Sequence, residues 1–182
     1  EMVSNNELKI RVNAARNLFE DINTFNEIRQ KADLEGKGLY RVLYMKQFID
    51  GTPANFTGML LEDYSDNPGE KGKATIDLDK MAAAIETATE NNISVRLHSC
   101  GDRSCREAIN AYENALKKFP ETESRHMVEH LELVDPNDIP RFGQLGIICS
   151  IQPEHLAAGT MKWEENCYPE KLGPERERYT WP

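Results

Sequence analysis

Short apolar runs alternate with longer amphipathic segments along most of this sequence. The runs are rich in β-branched and aromatic residues and are bounded by turn-forming residues, which is typical of strands. Five strands are predicted, at residues 8–14, 41–49, 93–98, 125–130 and 146–151. Apolar residues at helical spacing predict helices at 21–32, 77–91 and 103–119, and a short helix that begins near Pro136 and stops at Gly146. Strands that alternate with helices predict an α/β fold with a parallel sheet or barrel.

Two segments depart from this alternation. Residues 52–75 are polar and rich in Gly, Pro, Asp and Asn, and a connection of this length is uncommon in a compact domain and is often functional. Residues 159–182 form a polar tail that contains Pro169, Gly173 and Pro174, and its charged residues from Glu164 to Arg178 predict a solvated segment. We find no internal repeat and no two-domain division, so a single domain over residues 1–182 is predicted.

Several predicted strands carry histidine or lysine near their carboxyl ends. His98 and His130 end two strands, His155 follows the last one, and Lys46 lies near the end of the second. The carboxyl ends of parallel strands meet at one rim, so Lys46, His98 and His130 are expected to lie together. Neutral imidazoles are common ligands of zinc and similar metals. Lysine is a poor ligand because it is cationic, but a lysine carbamate would offer anionic oxygens that can bridge two metals.

The alternation of side chains along a strand adds two expectations. Residues two apart share a face, so His126, Val128 and His130 are expected to point the same way in a regular strand. Arg96 would share the face of the histidine two residues later. Its expected partner is one of two glutamates, Glu129 or Glu132.

The same residues also have plainer interpretations. A single histidine at the end of a strand is more often a hydrogen-bonded structural residue. Lys46 alone would be a lysine whose stem lies along apolar surface. Asp50 and Asp102, each next to a glycine, could mark tight turns, and Asp102 could cap the helix that follows it.

Composition narrows the class of function. A net charge of −9 argues against a nucleic-acid partner, because phosphate binding needs clustered Lys and Arg. No apolar stretch approaches the length of a membrane span, and no secretory signal opens the sequence. The cysteines are too few and too irregular for a disulfide framework, so reduced thiols and a cytoplasmic location are predicted. They are Cys100, Cys105, Cys149 and Cys167.

Four short segments, in this order, resemble amidohydrolase family 3, a family of metal-dependent hydrolases that includes exoenzyme regulatory proteins. They are residues 46–51 (Lys-Gln-Phe-Ile-Asp-Gly), 98–103 (His-Ser-Cys-Gly-Asp-Arg), 125–130 (Arg-His-Met-Val-Glu-His) and 152–155 (Gln-Pro-Glu-His). Residues 172–176 are similar to the family's segment after the seventh barrel strand. The family often reads His-Ala-Ile-Gly-Asp where this sequence has Ser99 and Cys100 in the middle. The resemblance covers nearly the whole chain.

The resemblance implies a (β/α)8 barrel and hydrolysis of amide-type carbon–nitrogen bonds in a small-molecule substrate by metal-activated water. It implies a carboxylated lysine and one or two divalent ions, with zinc expected first. The implied metal ligands are Lys46, His98 and His130. The implied substrate-side residues are His126, Gln152 and His155, and the implied supporting residues are Asp50 and Asp102.

The departures from the family pattern lead to further expectations. Such a site also needs a His-x-His pair after the first strand and an aspartate after the eighth, and this sequence contains no His-x-His. A complete barrel takes about 250 residues, so a partial barrel with strands three to seven of the family is expected. The isolated chain, without a complete catalytic set, is expected to be inactive and to self-associate through two open sheet edges. A non-catalytic binding or regulatory module is the alternative.

Overall fold

A computed structural model describes residues 2–152 and 168–177. The strands are β1 (Val12–Asn17), β2 (Tyr40–Phe48), β3 (Ser94–Ser99), β4 (Met127–His130) and β5 (Ile148–Ile151). The helices are α1 (Ile22–Glu35), α2 (Leu78–Glu90), α3 (Asp102–Lys118), α4 (Ile139–Leu145), α5 (Tyr168–Leu172) and α6 (Pro174–Glu177). All five strands are parallel and follow chain order across one sheet. The predicted α/β fold with five parallel strands is confirmed.

The boundaries of several elements differ from the predicted ones, most clearly at the starts of β1 and α4. The first strand begins at Val12 and not at Leu8, because its pairing with β2 starts only at Val12 beside Tyr40. The fourth helix begins at Ile139 and not near Pro136. The Asp135 carboxylate accepts a hydrogen bond from the backbone of Asn137 at 2.8 Å, which forms a turn before the helix.

Aspartates start two of the helices where the sequence turns polar. The Asp21 carboxylate accepts hydrogen bonds from the backbone of Asn23 and Thr24, each at 3.0 Å, at the start of α1. Asp77 accepts in the same way from Asp79 and Lys80 at the start of α2. These caps satisfy backbone donors that have no partner within the helix.

The two faces of the sheet have different surroundings. One face packs on the helices, and its side chains lie in a single buried cluster that includes Val42, Met45, Val95, Leu97 and Val128. A register shift in the pairing of β1 with β2 leaves Leu43 as an extra residue, which keeps Met45 on this face. The opposite face carries the alternate residues, and we call it the polar face. It comprises Tyr44, Lys46, Phe48, Arg96, His98 and Glu129.

Residues 168–177 pack against the long loop that follows β2. Tyr168 and Leu172 are buried with Leu60, Tyr64 and Leu133 in a second small core. In the described part of the tail, the prediction of a solvated segment holds for the exposed Glu170 and Glu175 but is wrong for Tyr168 and Leu172. The five side chains of this second core come from three distant segments and bury one another, and α5 contributes Tyr168 and Leu172.

Candidate metal centre

The register of β2, β3 and β4 brings charged and imidazole side chains together on the polar face. Lys46 lies beside Arg96, Phe48 lies beside His98, and His98 lies beside Glu129. The strand ends that carry these residues form one rim, as the sequence predicted. The hydrogen bonds and protonation of these side chains determine whether they can bind a metal ion.

His98 is buried, with 9% of its surface exposed. Its Nε2 lies 3.2 Å from the carbonyl oxygen of Gly51 and 3.4 Å from the sulfur of Cys100. A carbonyl oxygen only accepts hydrogen bonds, so Nε2 carries the proton. Nδ1 then carries the lone pair, and it is buried without a hydrogen-bond partner among the residues that the structure describes. A buried acceptor of this kind costs free energy that a bound cation would offset.

An unusual backbone conformation turns His130 toward His98. The φ angles of His130 and Leu131 are 79° and 54°, in the left-handed region that is costly for residues other than glycine. The centroids of the two imidazole rings lie 4.4 Å apart. The Nδ1–H of His130 donates to Oε1 of Gln152 at 2.7 Å, so its lone pair is on Nε2. Gln152 is oriented in turn by donating from Nε2 to the Ser150 carbonyl oxygen at 3.2 Å.

Both imidazoles are held in the neutral form. Burial lowers the pKa of His98, the hydrogen bond to Gly51 opposes this, and the charge of Lys46 lowers the pKa further. Burial also lowers the pKa of His130, with further lowering by His98 and Lys46. The neutral imidazole is the form that binds a metal. Both rings are therefore in the form that can bind a cation at neutral pH.

Lys46 lies on the same face but is paired as an ammonium group. Its Nζ donates to Oε2 of Glu129, and Oε1 of the same carboxylate lies 3.6 Å from Nη1 of Arg96. Of the two glutamates expected to pair with Arg96, Glu129 is the one that does. The Arg96 guanidinium also lies 3.7 Å from the centre of the Tyr44 ring. In this state the Lys46 nitrogen is a hydrogen-bond donor and not a ligand.

Asp50 anchors the end of β2 and is only 1% exposed. Its Oδ1 accepts from the backbone N–H of Cys100 at 3.1 Å. Its Oδ2 accepts from the backbone N–H groups of Met59 and Gly101, each at 2.9 Å, and from Oγ of Ser104 at 2.7 Å. Burial raises the pKa of Asp50, and these hydrogen bonds oppose part of the rise. The carboxylate therefore joins β2 to the long loop and to the start of α3.

Asp102 holds the next turn of the same loop. Its Oδ1 accepts from the backbone of Leu61 and of Arg103, each at 2.9 Å. Between the two carboxylates, a Cβ at Gly101 would lie 2.2 Å from the carbonyl oxygen of Met59. The loop thus packs so closely on the start of α3 that only glycine fits there.

Asp50, His98 and Cys100 also place ligand-type atoms within 4.8 Å of one another. The spacing suits a cation, but Asp50 already accepts four hydrogen bonds, as many as a carboxylate has lone-pair sites. Burial raises the pKa of the Cys100 thiol, which therefore stays protonated, whereas a metal ligand must be a thiolate. The pair of imidazoles is the better metal site.

His126 lies at the opposite end of β4, immediately before its first residue. It is 2% exposed, and its ring stacks on Tyr112 with the centroids 4.5 Å apart. Its Nδ1 accepts from the backbone of Val95 at 3.2 Å, and its Nε2 lies 3.1 Å from Oγ1 of Thr89. The expected position of His126 near the substrate rim is therefore wrong.

The expectation that His126, Val128 and His130 share one orientation in a regular strand holds for His126 and Val128 but not for His130. Val128 lies in the helix-facing core, and His126 packs against α3 on that side. The left-handed backbone at His130 breaks the alternation and brings its ring beside His98. A turn in the last residue of the strand thus separates the two histidines.

Burial lowers the pKa of His126 to about 4, which makes stability depend on pH. In an unfolded chain the pKa of histidine is about 6.5, so acid protonates the unfolded state first. The stabilisation is complete above pH ~6.5 and is lost as the pH falls toward the folded value. Between pH 7 and 5 we expect His126 to account for a loss of about 2 kcal/mol in the free energy of unfolding. Urea unfolding of the chain and of a His126→Gln variant at both pH values measures this, and an equal pH dependence in the two would contradict it.

Gln152 and His155 were also predicted to lie on the substrate side of the site. Gln152 reaches the centre through its hydrogen bond with His130, and its role toward a substrate stays a prediction. His155 lies outside the described residues, as does Cys167.

Sequence reasoning did not find the polar residues behind His98. The Cys100 thiol donates to the Glu132 carboxylate, and the Tyr168 hydroxyl donates to Oε2 of the same group. The strand pattern suggests Glu132 only as a partner for Arg96. Its contact with Tyr168 joins residues 36 positions apart, and such a contact has no local signal in a sequence.

A cavity of about 760 Å³ lies elsewhere, between the end of β1, α1 and α2. Its lining includes Leu18, Ile22, Met45 and Ala84, and none of the predicted site residues among the described ones contributes to it. The convergent polar groups, rather than this cavity, locate the candidate centre.

Known proteins are similar to this chain in sequence. The sequence model of the amidohydrolase family matches residues 1–182. "Protein LONG AFTER FAR-RED 3" of Arabidopsis thaliana is 29% identical over 162 residues, which cover 87% of this chain and 27% of that protein. The protein YtcJ of Bacillus subtilis (strain 168) is 31% identical over 120 residues, covering 65% of this chain and 22% of that protein. The chain thus spans about a quarter of each relative.

Two solved structures share the fold. An uncharacterized metal-dependent hydrolase from Pyrococcus furiosus matches with a TM-score of 0.76 and 25% identity, over 99% of this chain and 35% of that one. A second uncharacterized metal-dependent hydrolase, from Pyrococcus horikoshii OT3, matches with a TM-score of 0.76 and 23% identity, over 99% of this chain and 34% of that one. The resemblance inferred from the sequence motifs is confirmed.

Proposed function

This chain belongs to the amidohydrolase family, and we propose that it supplies two metal ligands to the barrel of a metal-dependent hydrolase that acts on amide-type carbon–nitrogen bonds. The observation that carries the proposal is the imidazole pair of His98 and His130, with ring centroids 4.4 Å apart. The lone pairs on Nδ1 of His98 and Nε2 of His130 are the donors that a zinc-type ion prefers.

The chain's own residues prepare these ligands. The carbonyl oxygen of Gly51 orients His98, and Gln152 orients His130. Burial keeps both rings neutral. When bound, one or two divalent ions, with zinc proposed first, supply Lewis-acid activation of water and of the amide carbonyl group.

We further propose that Lys46 is carboxylated in the metal-loaded protein. Lys46 lies on the strand next to that of His98, and its Nζ is 4.8 Å from the centre of the Phe48 ring, whose centroid lies 4.9 Å from that of His98, so Lys46 lies close to the centre. The neutral amine would add to carbon dioxide and release one proton, which replaces an ammonium group by an anionic carbamate. The carbamate would no longer pair with Glu129, and Arg96 is the nearest cation on the polar face.

The activity is proposed for the whole protein, in which parts of the barrel beyond these five strands would complete the site. The isolated 182-residue chain is proposed to be inactive, because two imidazoles and one lysine are half of such a ligand set. The substrate would be a small molecule bound at the rim formed by the strand ends.

Hydrolysis of a panel of N-acyl compounds tests this function. We expect the full-length protein to release amine when zinc and bicarbonate are supplied, and to lose this activity on chelation. The isolated chain should show none. Activity of the isolated chain that survives His98→Ala would point to contamination. A full-length protein that binds zinc but cleaves no member of the panel would favour the alternative, a binding or regulatory module.

Self-association of the isolated chain is a second proposal. Among the described residues, β1 and β5 are the two edges of the sheet, and an edge strand can pair its backbone groups with another chain. We expect light scattering to show dimers or larger species as the protein concentration rises. A monomer at every concentration would count against pairing through these edges.

A cytoplasmic location is also proposed. The described cysteines, Cys100, Cys105 and Cys149, are free thiols. Free thiols are typical of a reducing compartment. Among the described residues no helix combines the length and apolar character that crossing a bilayer requires. Cell fractionation measures the location, and recovery of the protein outside the cytoplasmic fraction would contradict it.

A further inference from the structure

Cys100 and Glu132 form a buried polar pair behind His98. They are 1% and 4% exposed. The thiol donates to the Glu132 carboxylate, and its sulfur lies 3.4 Å from Nε2 of His98. The Tyr168 hydroxyl donates to the same carboxylate. A line of hydrogen bonds therefore runs from α5, in the tail of the chain, to the ring of His98.

The direction of each hydrogen bond in this line is determined by the chemistry of its groups. The carboxylate of Glu132 accepts, so the proton of the Cys100 thiol points toward it. The sulfur lone pairs then face Nε2 of His98, which donates to them and to the carbonyl oxygen of Gly51. In the other tautomer, Nε2 would present a lone pair to two acceptors, which is unfavourable in a buried site.

Cys100 is held in place before any ligand arrives. Its backbone N–H donates to Asp50 at 3.1 Å, and its carbonyl oxygen accepts from the backbone of Leu133 at 3.0 Å. The thiol is thus fixed by β2 on one side and by the segment after β4 on the other. Little conformational entropy remains to be lost when the hydrogen-bond line forms.

We propose that Cys100, Glu132 and Tyr168 are positioning residues that hold His98 in the tautomer whose Nδ1 binds the metal. The inference rests on the proposed metal centre and adds residues that stand behind the ligand. Groups that orient a metal-bound histidine in this way change metal affinity by about 10- to 100-fold when they are removed. The residues Ser99 and Cys100 depart from the family pattern, and the inference gives one of the two a function.

The first measurement is the affinity of the full-length protein for Zn²⁺, by competition with a chelator. Cys100→Ala and Glu132→Gln are expected to weaken binding about 10- to 100-fold, and Tyr168→Phe by a smaller factor. Cys100→Ser should retain most of the affinity, because a hydroxyl also donates and accepts. Cys105→Ala is the matched control, since it removes a buried thiol from the core cluster without touching the line.

The second measurement is the tautomer of His98 in the metal-free protein, by nitrogen-15 NMR of labelled histidine. The wild type should show a proton on Nε2, and Glu132→Gln and Cys100→Ala should show a mixture. If Cys100→Ala does not fold, the tautomer of His98 in the nearly isosteric Glu132→Gln tests the positioning role.

The two measurements test the metal centre and the positioning role separately. Wild-type protein that binds no Zn²⁺ would refute the proposed metal centre, even with the expected tautomer. Wild-type binding that all the variants retain, together with an unchanged tautomer, would overturn the positioning role and leave the metal centre standing. Weakened binding in Glu132→Gln with a mixed tautomer would support it.

Discussion

Asp50→Ala is expected to destabilise the 182-residue chain by about 3 kcal/mol or more. The substitution is also expected to detach the long loop after β2 from the strand ends. The carboxylate accepts from three buried backbone N–H groups, those of Met59, Cys100 and Gly101. Removing it leaves these donors without a partner, and each unsatisfied buried donor costs about 1–3 kcal/mol. Water entering the site would offset part of this cost, so the lower half of the summed range is expected.

Two further variants make the Asp50 prediction specific. Asp50→Asn keeps one oxygen, which can retain the donors of one side, so we expect an intermediate loss. Asp79→Ala removes an exposed carboxylate from the first turn of α2 and should change the free energy of unfolding by less than about 0.5 kcal/mol. Urea unfolding at pH 7 measures all three. Equal effects of Asp50→Ala and Asp79→Ala would contradict the anchoring role.

His98→Ala and His130→Ala are each expected to lower kcat/KM for amide hydrolysis by the full-length protein by roughly a thousandfold. Metal activation of water and carbonyl supplies several kcal/mol, and loss of one of the two imidazoles would remove the ion or misplace it. Fixed-time activity assays over a range of zinc concentrations distinguish loss of the ion from misplacement of the ion. Excess zinc restores activity only when the loss is one of affinity.

His126→Gln is the matched control for the histidine variants. It also replaces a buried histidine, but one at the opposite end of β4 with its ring against Tyr112. We expect kcat/KM at pH 7 to stay near the wild-type value. An equal loss in His126→Gln and His98→Ala would show that the assay reports folding and not the centre.

The alternation of apolar runs and amphipathic segments was enough to predict five parallel strands and the rim at which the strands of His98 and His130 end. Both features depend on local rules, because helical spacing and strand alternation are set by residues close in sequence. The identity of the helix-facing residues follows from the same rules, apart from the extra residue Leu43 in β2.

The features that the sequence did not predict depend on tertiary contacts or on backbone strain. A φ of 79° at His130 is unfavourable for a side chain with a Cβ, so no pattern suggests it, yet it decides which histidines meet. The contact of Tyr168 with Glu132 joins the tail to the segment after β4. The polar composition around Tyr168 favoured a solvated tail, and only the packing of Leu172 and Tyr168 with the loop overrides it.

The most direct test of the metal centre is the zinc content of the full-length protein after dialysis, measured by plasma mass spectrometry. We predict one or two zinc ions per chain in the wild type and in His126→Gln, and a large loss in the double variant His98→Ala/His130→Ala. Zinc retained by a folded double variant, or absent from the wild type under conditions that saturate known zinc proteins, would contradict the assignment of these two histidines as ligands.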